Sequence, residues 1–157
     1  MSQHSGTAAT GTHYLRPGRF DSAFGRLVGW LARRGVSLLG SAELSVIGRS
    51  SGEWRSIPVN PLTYGGETFL VSARGHSQWV RNMRAAGGGR LTLGRSVRNF
   101  TAVELAAAEK PAVLRAYLER WGWEVGRFFG EVTAESSDEE LRAAADRHPV
   151  FRLTVER

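Results

Sequence analysis

Short runs of strand-forming residues, separated by glycine-containing turns, fill the middle of this chain and leave few folds open to it. Glu43 to Ile47 reads as a strand and Arg49-Ser50-Ser51-Gly52 as a turn. Trp54 to Thr63 reads as a second strand. Pro58 and Pro61 interrupt it, which marks an edge or a bulge because proline has no N–H to give a ladder. Tyr64-Gly65-Gly66-Glu67 turns tightly into a strand from Thr68 to Ala73. Arg90 to Leu93 and Val97 to Leu105 form a further hairpin about Gly94-Arg95. Near the end, Phe151, Leu153 and Val155 alternate with Arg152, Thr154 and Glu156, the period of a half-buried strand.

Helical signals fall between these hairpins. Ser77 can cap a helix from Gln78 to Ala86, stopped by Gly87-Gly88-Gly89. Glu109 to Trp121 carries Leu114, Tyr117, Leu118 and Trp121 at helical spacing, with Pro111 in the first turn where its missing N–H costs nothing. Trp123 to Phe129 continues it after a break at Gly122. Ser137-Asp138-Glu139-Glu140 is a capping box that opens a helix through Ala145. Phe20 to Leu39 reads as an amphipathic helix weakened by Gly25, Gly29 and Gly35. Its Trp30 and its arginines allow a peripheral membrane contact through residues 20–40, against simple packing on the domain. Six strands with helices set between hairpins fit a small barrel of mainly β, α+β type better than a parallel βαβ sheet. The expected organisation is a flexible tail over residues 1–19 followed by one domain over residues 20–157.

Composition narrows the function classes. Hydrophobic residues are 41% and charged residues 23%, the balance of an ordinary globular domain. Cysteine is absent, so disulfides, thiolate metal sites and cysteine nucleophiles are excluded together. No apolar run approaches the length of a membrane span, and residues 1–19 lack the order of a secretory signal, so the expected location is the cytoplasm. The formal charge is +6. Of the 21 Lys+Arg residues only Lys110 is lysine; the other twenty are arginine. Genomic bias explains such a count, and so does an anionic ligand, since the guanidinium fork binds phosphate and carboxylate bidentately.

Catalysis by the chain's own side chains is poorly supplied. His4, His13, His76 and His148 have no metal-ligand spacing, so no metal site is expected. There is no nucleophile elbow, no Walker loop and no dinucleotide fingerprint. An enzyme with this sequence leaves its difficult step to a bound cofactor.

Two segments suit an anion. In Gly48 to Val59, Arg49 sits in the turn and Arg55 on the returning strand, with Ser50, Ser51 and Ser56 between and beside them. Turn amides add donors, although a solvated turn has the same composition. In Ser72 to Arg84, a strand ends at a glycine turn and a helix begins, so free N–H groups and the helix dipole point outward beside Arg74. Trp79 and Asn82 are i, i+3 neighbours on that helix, and Trp79 fits a core position equally well.

Taken together, the two segments resemble the deazaflavin (F420)-dependent nitroreductase family, flavin/deazaflavin oxidoreductases with a split β-barrel fold. The matching residues are Gly48-Arg49-x-Ser51-Gly52, Arg55, Pro58, Ala73-Arg74-Gly75, Trp79, Asn82, Arg84 and Ala85, in that order, and the likeness covers roughly residues 42–105. It implies a split β-barrel with peripheral helices, coenzyme F420 as cofactor, and hydride transfer between the deazaflavin and a conjugated electrophile such as a quinone or nitroaromatic. By resemblance, Arg49, Ser50, Ser51 and Arg55 hold the cofactor's phosphate and glutamate tail. Pro58 and Val59 line the ring from the strand. Ala73, Arg74 and Gly75 meet the ring edge, and Gln78, Trp79, Asn82 and Met83 close the site from the helix. The loop between Gly75 and Trp79 is shorter than in the better-known nitroreductase branch, and no substrate-side tyrosine stands near the C-terminus.

The resemblance also implies a small apolar or aromatic substrate and a homodimer joined through strand faces. Trp30, Trp121, Trp123 and Phe128 are candidate walls for the substrate, with core packing as the competing reading. FMN is a less favoured cofactor than F420. The alternatives are an FMN- or haem-binding barrel and a non-catalytic deazaflavin-binding module. A nucleic-acid partner is not expected, because the arginines are scattered rather than gathered in one stripe.

Overall fold

The structure, a computed structural model, describes residues 41–156. The readings of a tail over residues 1–19, a helix at Phe20 to Leu39 and a membrane contact at residues 20–40 lie outside the described residues.

Seven strands form one antiparallel sheet: β1 (Ala42–Ile47), β2 (Trp54–Val59), β3 (Leu62–Tyr64), β4 (Glu67–Val71), β5 (Gly88–Leu93), β6 (Ser96–Glu104) and β7 (Val150–Val155). Their order across the sheet is β2-β1-β5-β6-β7-β4-β3. β2 and β3 are therefore the two edges, yet only Asn60 and Pro61 separate them in sequence. Three peptide steps reach at most about 11 Å, so the sheet must curl until its edges meet at that corner. The result is a split barrel, closed by the chain itself at Asn60-Pro61. The stretch read as one strand from Trp54 to Thr63 is thus two strands on opposite edges, and Pro58 sits in an edge strand where its missing N–H breaks no central ladder.

Alternation assigns each side chain to a face. Leu44 and Val46 of β1, Phe100 of β6, and Phe151 and Leu153 of β7 point inward and pack together. Helix α1 (Gln78–Ala86) adds Val80 and Met83 to this inner cluster. β4 is buried on both faces. Leu70 joins the inner cluster, while Phe69 and Val71 face outward against Val113, Leu114, Tyr117 and Trp121 of helix α2 (Lys110–Val125). A short helix α3 (Asp138–Ala144) completes the outer layer, with Ser137 Oγ accepting from the Glu140 amide at 3.1 Å as the capping box requires.

Two glycine readings need correction. Gly87 ends α1 in the left-handed conformation, φ 72°, but Gly88 and Gly89 do not form a loop; they begin β5. A Cβ on Gly88 would collide with the carbonyl oxygen of Phe100, and one on Gly89 with that of Ser45. These glycines let neighbouring strands pass where α1 crosses them, a close-approach role rather than a turn. Gly122 does not break α2, which runs through it to Val125 and only then tightens into a 3-10 turn over Gly126–Phe129.

Gly88→Ala is expected to lower stability by about 1–3 kcal/mol through overpacking. Gly122→Ala, which meets nothing within 4 Å, should raise it by about 0.5–1 kcal/mol through helix propensity. Denaturant unfolding of both variants checks the pair, and equal effects would contradict this account of the glycines.

Candidate functional site

The turn between β1 and β2 leans on the start of α1. Its own backbone is tightly bonded. The Gly48 amide donates to Glu53 O at 2.8 Å and the Gly52 amide to Gly48 O at 2.9 Å. The Glu53 amide donates to Ser51 Oγ at 3.1 Å. The Arg49 amide donates across to Asn82 Oδ1 of α1 at 3.1 Å. Two adjacent turn amides, those of Ser50 and Ser51, have no protein partner among the described residues. Free N–H groups side by side at an exposed turn form an anion-binding concavity.

Beside this turn lies a cleft of about 340 Å³, within the usual range of ligand pockets. One wall is polar: Arg49, Ser50, Ser51 and Arg55. The other is largely apolar: Val46 and Ile57 from the strands and Trp79 from α1, with Gln78 and Asn82 joining the two. A second groove of about 500 Å³ flanks the same turn, lined by Ile47, Ala85 and Ala86 with Arg49 and the turn residues.

The register explains the pairing of charge and apolar surface. Arg55 opposes Val46 and Ile57 opposes Leu44, so both β2 residues share the inward face of β1. Arg55 has only a long contact to Glu53, at 3.8 Å, and its side chain is 62% exposed, so its charge is available to a ligand. Trp79 is half-buried, held against Phe151 with ring centroids 5.8 Å apart.

Of the residues singled out from sequence, Arg49, Ser50, Ser51, Arg55, Gln78, Trp79 and Asn82 therefore come together at one cleft. Six others do not line it. Pro58 alternates to the outward face, with Trp54 and Ser56, where Ser56 Oγ meets Ser45 Oγ at 2.7 Å. Val59 packs at the rim of the inner cluster, one inward position beyond Ile57. Met83 is a buried core residue. Ala73 packs toward the α2 side, and Gly75, at φ 89°, turns the chain from β4 toward α1. Arg74 places its guanidinium 4.4 Å from the centre of the Phe128 ring. The cleft also uses Gly48, which the sequence offered only as part of the turn motif, and Val46 and Ile57, which were not singled out. Strict alternation from Arg55 would have selected Ile57 and set Pro58 aside. Among the candidate substrate walls, Trp121 is core, its Nε1–H donating to Pro61 O at 3.2 Å, while Trp123 is exposed. Trp30 lies outside the described residues.

Arg84 faces away from the cleft and makes a two-point ion pair with Glu104 of β6, at 2.7 and 2.8 Å. These hydrogen bonds hold the Glu104 carboxyl below the usual carboxylate range, against the opposing effect of partial burial, with Lys110 and His76 adding attraction. Lys110 is buried, donates to Ala145 O at 2.9 Å, and is itself pushed down by desolvation. Among the described residues no group of His, Asp and Glu has the arrangement of a metal site, and no helix is long and apolar enough to cross a membrane.

A curled antiparallel sheet with such a cleft at its inner face places the molecule among the split-barrel proteins. Its family is narrower: a family model described as F420H(2)-dependent quinone reductase matches residues 25–123, and the chain belongs to that family. It is an oxidoreductase whose cofactor is coenzyme F420. Solved structures share the fold. An F420-H2 dependent reductase (FDR-A) aligns at 19% identity over 73% of this chain and 94% of its own, with a TM-score of 0.50. A structure described as a domain-swapped dimer aligns at 19% identity over 73% of this chain and 80% of its own, TM-score 0.51. Atu2129, a protein of unknown function from Agrobacterium tumefaciens str. C58, aligns at 17% identity over 82% of this chain and 53% of its own, TM-score 0.54. No curated protein sequence matches this one.

Because the folded-state pKa of Glu104 is depressed, its stabilisation is present above the unfolded carboxylate pKa and is lost as pH falls through the folded value. Glu104→Gln should therefore flatten the fall in Tm between about pH 6 and about pH 3. Thermal melts across that window check it, and parallel curves for variant and parent would contradict it.

Proposed function

We propose that the cleft between the β1–β2 turn and α1 is the F420 site, and that the protein reduces a quinone or a similarly conjugated electrophile there. The observation that carries this reading is the pair of free amides at Ser50 and Ser51, set between Arg49 and Arg55 on the wall of a single cleft. That donor set fits the phosphate and carboxylates of the cofactor: two amide donors, the Ser50 hydroxyl and two guanidinium groups, one of them largely exposed. The apolar wall of Val46, Ile57 and Trp79 fits the edge and face of a planar ring.

When bound, the reduced deazaflavin supplies a hydride to the acceptor. The chain's own contribution is positional. Arg49, Ser50, Ser51 and Arg55 fix the anionic end. Ile57 and Trp79 exclude water from the apolar end, so that an acceptor can lie against the ring at about 3–3.5 Å. Arg74, with its guanidinium over the Phe128 ring, does not line the cleft and is left out of the cofactor contacts in this reading, as are Pro58 and Met83. An assembly of two copies is part of the same reading, supported by the domain-swapped dimer among the related structures.

Fluorescence titration with F420 should give saturable binding, and the purified protein should oxidise F420H2 in the presence of a quinone. Arg55→Ala should weaken F420 binding by about 1.5–3 kcal/mol, the worth of a charge-assisted contact, and FMN should compete weakly. No saturable binding at micromolar protein overturns the reading, and unchanged affinity in Arg55→Ala removes Arg55 from the site. Sedimentation equilibrium should give twice the chain mass; a single-chain mass at high concentration contradicts the dimer.

A further inference from the structure

Arg49 is gripped from behind by α1. Asn82 Oδ1 accepts from the Arg49 amide at 3.1 Å and from its Nη1 at 2.8 Å, and Gln78 Oε1 accepts from its Nη2 at 2.9 Å. Gln78 and Asn82 stand at i and i+4, so one helix face presents both oxygens to one guanidinium. Asn82 is buried, 6% exposed, and both partners of its oxygen are donors, which fixes the orientation of the amide.

We infer that Asn82, helped by Gln78, is a positioning residue: it binds no part of the cofactor through Oδ1 but fixes Arg49 for the anion. This rests on the F420 reading above and replaces direct contact by Asn82 with an indirect role. Three points lead to it. The Asn82 oxygen already accepts two hydrogen bonds, which fills its lone pairs. An acceptor oxygen has nothing to offer a phosphate. A guanidinium has five N–H donors, and α1 takes only two of the Arg49 side chain's, leaving three for a ligand. Because Asn82 holds the backbone and the side chain of Arg49 together, it fixes the turn and the charge as one unit. Ligand binding then does not have to order a long, rotamer-rich side chain.

The test is a double-mutant cycle read by F420 fluorescence titration on the full chain. Asn82→Ala is expected to weaken binding about tenfold, about 1.4 kcal/mol, and to raise KM for F420H2 without lowering kcat at saturation. In an Arg49→Ala background, where only the bond from the residue 49 amide is left to lose, the same substitution should weaken binding by no more than about threefold. Losses that multiply, so that the double variant is weakened by both factors, would show Asn82 acting independently of Arg49 and overturn the inference. Because Asn82 is buried, Gln78→Ala at its exposed position runs the same cycle with less risk to folding, and the same non-additivity is expected. A second readout needs no cofactor. In the free protein, the Arg49 side-chain N–H resonances should be sharp and slow to exchange, and Asn82→Ala should broaden them. Unchanged resonances overturn the inference. If the parent protein fails to bind F420 while these resonances respond, the cofactor reading falls and the positioning of Arg49 stands.

Discussion

Two residues, Asn60 and Pro61, carry the chain from one edge of a seven-stranded sheet to the other. That short bridge is the constraint on which the rest of the structure depends. It forces the sheet to curl, and curling gives each strand a concave and a convex side. The concave side is filled by Leu44, Val46, Phe100, Phe151 and Leu153, with α1 laid across it through Val80 and Met83. The convex side of β3 and β4 is covered by α2. Glycine at positions 88 and 89 is what lets the strands pass so closely at the point where α1 ends.

The site follows from the same curl. With α1 seated against the concave side, its first turn and a half meets the β1–β2 turn, and Arg49 is trapped between Gln78 and Asn82. The turn spends four of its amides on internal or helix contacts and leaves those of Ser50 and Ser51 free. Alternation along β2 then sets Arg55 and Ile57 on the inward face, so a charged end and an apolar end of one cleft come from one strand. In the proposed reading, this cleft holds a cofactor that brings its own reactivity.

Much of this was legible in the sequence, because turns and helix caps are local. Arg49 to Gly52 and Ser137 each announce their role within four residues; Ser77 stands at the N-cap of α1 as its position suggests, but its hydroxyl makes no cap bond. What was not legible is whatever depends on pairing between distant strands. The two prolines at 58 and 61 told of an interrupted strand, but not that its halves lie on opposite edges. The three glycines after Ala86 looked like a stop, because nothing local reveals that Phe100 and Ser45 crowd two of them. The resemblance to a known family named Arg49, Ser51 and Trp79, which the fold brings to one cleft. It also suggested Pro58 and Arg74, whose actual positions are set by strand alternation and by Phe128.

The central claim is that the anionic end of F420 is held by the β1–β2 turn. A crystal structure of the protein with F420 bound tests it most directly. The account predicts phosphate oxygens within about 2.7–3.2 Å of the Ser50 and Ser51 amide nitrogens, with Arg49 still bonded to Asn82 behind them. A phosphate held instead at Arg74, with the Ser50 and Ser51 amides facing water, would contradict it.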